Sequence, residues 1–191
     1  MSSNVITTAD VISDLKAHAR VLQRRAQAGD AAALRRLRIL PELKKLQDPQ
    51  LQEQLQRRHC LQAVAKQLGF TTWEQARDVL TSQERAPEHE PYDYGTLLYP
   101  SNCGGHYNIW SAHYTEAKDI RAAHGGYLLA YKRQYMIVEE GYIDSMGLDP
   151  HDPDWTRIGR DWIRPQDPEA RQRLYRQLVH NALVTMALQG N

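Results

Sequence analysis

Phenylalanine and cysteine are scarce in this 191-residue chain: one Phe and two Cys, Cys60 and Cys103. Two cysteines cannot make a disulfide framework, so both are expected to be reduced thiols of a cytoplasmic protein. Long apolar runs are missing too. "YLLAY" and "YMIV" are far too short to cross a bilayer. The start, "MSSNVITTADVISDLK", has no basic segment followed by an apolar block, so no signal peptide is expected. No Asn-Gly or Asp-Gly pair marks a hairpin in the strand-like stretch 127–138. Net charge is only +1, and with 41% hydrophobic residues the chain has enough apolar side chains for a core.

The small net charge conceals an asymmetry. Residues 1–82 carry 13 Lys+Arg against 8 Asp+Glu, while residues 83–191 carry 11 against 15. Of the 15 aromatics, only Phe70 and Trp73 precede residue 83. An aliphatic, mildly basic front meets an aromatic, acidic back. Expected units are a helical module over 1–82, a linker over 83–90 with prolines and charges, and a second domain over 91–191.

The front reads as helices. Val11, Leu15, Ala19 and Leu22 recur at three- and four-residue spacing over 8–28, with Thr7 or Thr8 as cap. Asp30 caps a helix over 30–39, and Pro41 is placed to open another. A polar, Gln-rich helix is expected over 49–57. "RRHCLQAVAKQLGFTTWEQARDVL" gives two helices around Gly69, which tolerates positive φ, with Thr71 or Thr72 capping the second.

The back begins with a strand candidate, "GTLLYP", over 95–100. A helix over 111–126 would turn Tyr114, Ala117, Ile120 and Ala123 inward. Residues 127–138 are one strand or a hairpin turning near Lys132-Arg133. "EEGYIDSMGLDP" makes a short helix ending at Gly147. Three Asp-Pro steps, at 149, 152 and 167, each offer a cap with proline at the first helical position. They predict helices over 153–163, with Trp155, Ile158 and Trp162 inward, and over 168–188. The fold class is α+β: a helical module followed by a small antiparallel sheet packed with helices.

His59, Ala65, Gly69, Phe70 and Trp73, with their spacing, carry a resemblance over roughly residues 13–82. This region resembles a small helical module found beside ankyrin-repeat and glyoxalase-superfamily domains in bacterial proteins. The resemblance implies a helical fold and no chemistry. Residues 125–162 look like uncharacterised bacterial proteins.

"YPSNCGGHYNIWSAHY" concentrates the candidate chemistry. Cys103 precedes a predicted helix, with His106 or His113 as base and Asn102 or Asn108 as orienting group; this is the pattern of an activated thiol. The competing reading is a small buried cysteine in a glycine turn. Zinc binding by Cys103, His106, His113 and His124 fails on reach, since His113 and His124 are three helical turns apart, about 16 Å. "DPHDPDW" fails the calcium-loop frame, because position six is Asp154 rather than glycine. No metal or cofactor is expected. A DNA-reading helix over 71–80, "TTWEQARDVL", would carry Glu74 and Asp78 with Arg77 as its only cation, so nucleic acid is not favoured.

Tyr127, Leu129, Tyr131, Tyr135 and Ile137 share one strand parity, and Tyr107, Trp110 and Tyr114 lie nearby in sequence. The first functional reading is an aromatic groove of Tyr107, Trp110, Tyr114, Tyr131 and Tyr135, rimmed by Arg133, that binds a protein or peptide partner. The alternatives are a thiol-dependent hydrolase or transferase at Cys103 and a nucleic-acid-associated protein using the basic front. No membrane partner is expected.

Overall fold

The computed structural model describes residues 8–83 and 92–189. The linker expected over 83–90 and the cap candidate Thr7 lie outside them, Gln83 excepted. Helices and one three-stranded antiparallel sheet make an α+β fold.

The front packs α1 (Thr8–Gln27), α2 (Ala31–Leu37), α3 (Asp48–Gln54), α4 (Arg57–Gln67) and α5 (Trp73–Leu80). The α1 stripe of Val11, Leu15, Ala19 and Leu22 is buried as its period requires. Asp30 caps α2 by accepting from the Ala33 amide at 2.8 Å. No helix opens at Pro41. The chain instead runs through turns with i→i−3 bonds at Leu40, Leu43 and Leu46. The leucines at 34, 37, 40, 43 and 46 recur every third residue, which matches three residues per turn and keeps one side toward the core.

Residues behind the helical-module resemblance fall at helix ends or in the core, and Gly69 takes positive φ, +87°, after α4. His59 Nδ1 accepts from the Gln56 amide at the start of α4. Ala65 and Phe70 are buried. The Trp73 amide donates to Gln62 Oε1 at 3.0 Å. Thr72 caps α5 through the Gln75 amide, and Gln75 accepts from the Thr71 amide.

In the back, β1 (Ile109–Ser111), β2 (Tyr127–Tyr131) and β3 (Gln134–Val138) form the sheet in the order β1-β3-β2. Lys132-Arg133 is a two-residue hairpin turn, with Lys132 at φ +52°. The helices are α6 (Tyr114–His124), α7 (Glu140–Ser145), α8 (Pro153–Arg157) and α9 (Pro168–Gln189). Residues 95–100 are turn, not strand: the Thr96 amide donates to Gly69 O, away from any sheet neighbour. The helix expected over 153–163 ends at Arg157, because Gly159 and Arg160 take positive φ. Trp155, Ile158 and Trp162 are nevertheless buried. Ala123 is exposed rather than inward, at the last turn of α6. Asp152 and Asp167 cap α8 and α9, whereas Asp149 closes a turn on the His151 amide.

One buried apolar cluster includes residues from Val11 to Val179, so front and back share a core. Aromatics form its spine in the back half. Tyr127 packs on Trp155 at 4.8 Å, Trp155 on Trp162 at 5.3 Å, and Trp162 on Tyr175 at 4.7 Å between ring centroids. A second small cluster, Ala117, Leu128, Tyr135 and Ile137, lies where α6 covers the other side of the sheet.

Candidate functional site

Register divides the expected aromatic groove in two. Tyr131 pairs with Gln134, so the face of Tyr127, Leu129 and Tyr131 continues through Met136 and Val138. Tyr135 and Ile137 fall on the opposite face, since the two-residue turn shifts parity. Tyr135 is buried there against Tyr114 at 5.9 Å. The Tyr114 hydroxyl donates to Asp161 at 2.6 Å, and Arg164 stacks over its ring at 4.4 Å. Burial and the Asp161 carboxylate push the Tyr114 hydroxyl pKa well up. Tyr114 and Tyr135 therefore do not join Trp110. Arg133 is exposed at the hairpin tip.

The other face carries a real aromatic patch. Trp110, Tyr131 and Tyr99 touch mutually, with centroid distances of 5.8, 4.9 and 5.9 Å. Trp110 is 41% exposed, and Tyr107, in the preceding loop, is 90% exposed. Tyr99 had no place among the sequence candidates; only the turn over 95–100 brings it to the sheet.

Backbone pairing determines what β1 offers beside this patch. Leu128 turns its N–H and C=O out of the hairpin, to Arg160 O and from the Trp162 amide, both at 2.9 Å. Alternation then makes Leu128↔Ile137 a non-bonded pair and points Ile137 and Tyr135 toward β1. Ile109 and Ser111 satisfy them. Trp110 N–H and C=O face outward, and among the described residues nothing pairs with that edge.

Cys103 closes a short 3-10 turn, Ser101–Cys103, and is 0% exposed. Its sulfur donates to Tyr142 O at 3.9 Å, and burial pushes the thiol pKa up. An activated thiolate needs the reverse. His106 Nε2 pairs with Ser145 Oγ at 2.8 Å, and His113 is exposed at the start of α6. Neither the thiol nor His113 joins His106 in a catalytic contact. Among the described residues no three His, Cys, Asp or Glu side chains group to hold an ion.

In the basic front, Arg25 pairs with Asp30, Arg38 with Asp48 and Arg77 with Asp78. Arg36 is held by His18 and Gln67. No described helix is long and apolar enough to cross a membrane.

Among known proteins, no family model, curated protein or solved structure matches this chain.

Proposed function

We propose that the chain is an interaction module that binds an extended segment of a protein or peptide partner along β1. The observation that carries this reading is Trp110, whose backbone N–H and C=O face outward while its indole sits 41% exposed in the Tyr99–Trp110–Tyr131 patch. Main-chain pairing at a sheet edge supplies affinity, and a neighbouring aromatic surface selects a side chain. Tyrosine and tryptophan give large contact area with a polar tip, which is why they dominate binding hot spots. Tyr107, in the loop before β1, is exposed and can extend the contact.

Selection of the full chain against a random peptide library tests it. Selected peptides should lose binding about 30-fold or more against Trp110→Ala, the loss expected of a hot-spot tryptophan. Methylation of alternate peptide amides should abolish binding, because strand addition uses every second N–H. Peptides that bind Trp110→Ala equally well, or a selection that yields no binder, would sink the reading.

A further inference from the structure

Ser145 and His106 are 39 residues apart, and no motif links them, yet Nε2 and Oγ stand at 2.8 Å. A nucleophile and a base within hydrogen-bond reach form the core of a covalent catalytic site. A helical serine can bond the carbonyl one turn back in its own helix; this one pairs with an imidazole.

The pair is held firmly. Bonds from the Cys103 amide to Pro100 O and from the His106 amide to Cys103 O carry His106 over α7. Its ring packs edge-on against Tyr142 at 5.6 Å, and the Tyr142 hydroxyl is anchored on Leu98 O at 2.8 Å. Ser145 is among the residues lining a groove of about 720 Å³, within the usual range for small-molecule sites. Tyr99, Leu97, Met146, Leu178 and Met186 supply apolar walls. Asn102 Nδ2 donates to Ser145 O, and Asn181 Nδ2 donates to Gly147 O at 2.6 Å.

We propose that Ser145 is a nucleophile, with His106 its general base, acting on carboxylic esters whose apolar acyl group lies in this groove. Among the described residues no carboxylate is hydrogen-bonded to His106, so the base lacks a third, orienting group; esters, which have better leaving groups than amides, suit it. Oγ bonds to the acyl carbon as its proton passes to Nε2. The C–O bond to the alcohol breaks, and the imidazolium returns the proton to the leaving oxygen. Water then cleaves the acyl-serine by the same route, releasing the carboxylic acid and restoring both side chains.

Labelling of the full chain with an alkyl fluorophosphonate tests it without any partner. Fluoride should leave as one phosphonyl group attaches to Ser145, located by peptide mass. The chain should also turn over p-nitrophenyl butyrate. Ser145→Ala should lose the label and the turnover. His106→Gln should slow both by about 100-fold or more, the usual contribution of a general base. Circular dichroism and thermal melts establish that each variant is folded, and Ser145→Cys, which keeps a nucleophile, should be alkylated by iodoacetamide faster than its His106→Gln double variant. Folded wild-type protein without label at Ser145, or equal labelling in His106→Gln, would leave the contact as a tie between loop and helix and overturn the proposal.

Discussion

Gly69 and Gly95 meet backbone to backbone where the helical front joins the sheet. A Cβ on Gly95 would lie 2.6 Å from Gly69 O, and both residues take positive φ, +87° and +69°. The Thr96 amide donates to the same Gly69 oxygen at 2.9 Å, and Gly95 O accepts from the Lys132 amide at 2.7 Å. The junction therefore pins the hairpin tip to the end of α4 through main-chain bonds, with the Thr96 hydroxyl also donating to Gly69 O at 3.3 Å.

Gly95→Ala should cost about 3 kcal/mol, combining left-handed strain with displacement of a backbone carbonyl. Gly29 is the control: φ is +82°, and a Cβ there meets only the Nε2 end of the Gln52 side chain, at 3.2 Å. Gly29→Ala should cost about 1 kcal/mol, from left-handed strain. Urea denaturation of the two variants measures the difference, and equal losses would refute a steric role for the junction.

Arg36 Nη2 contacts His18 Nε2 at 2.9 Å. Guanidinium has no acceptor, so Nε2 must accept and His18 is neutral in the native state. Burial, then the Arg36 charge, lowers its pKa. Its stabilising effect is full above the ordinary histidine value, about 6.5, where neither state is protonated. As pH falls below that value the unfolded chain gains a proton the native one refuses, and stability declines. His18→Gln should flatten this decline in urea midpoints measured from pH 7.5 to 5. An unchanged slope would show that His18 is not its source.

Asp154 is 5% exposed and is gripped by Arg173 through two 2.7 Å bonds, with Arg157 at 3.0 Å. The Arg173 hydrogen bonds hold its carboxyl below the usual range, against the opposing effect of burial. The contribution to stability is present above the unfolded value, about 3.9, and disappears as pH falls through the lower native value. Asp154→Asn should cost about 2 kcal/mol at pH 7, and the gap from wild type should narrow as pH falls below the unfolded value and through the lower native one. A gap independent of pH would assign the loss to packing.

How much of this was readable in advance depended on whether the signal was local. The α1 stripe, the Asp30, Asp152 and Asp167 caps and the break at Gly69 each concern residues within one or two turns, and all took the expected form. Strand parity failed at Tyr135 because a two-residue turn sends the second strand's odd positions to the other face. Tyr99 and Ser145 left no trace in the sequence. Each is a lone polar or aromatic residue placed by contacts 11 to 43 residues distant, with Trp110, His106 and Tyr142. His106 was found as a base, but its nearest oxygen belongs to a serine that no spacing rule connects to it.

Cys60 and Cys103 provide the last test, since both are 0% exposed. Burial pushes the Cys60 thiol up to about 11, and raises Cys103 as well, outweighing its bond to Tyr142 O. A thiol whose native pKa is raised stabilises fully below the unfolded value, about 8.5, and loses that contribution as pH rises through the native value. Iodoacetamide at pH 8 should therefore modify neither cysteine in the folded chain and both in guanidinium chloride. The native reaction should proceed only through transient opening, at a rate that falls when a stabilising cosolvent is added. Rapid modification of Cys103 alone in folded protein would mean that the turn over 101–103 opens readily, and would return the thiol to the list of reactive groups beside His106.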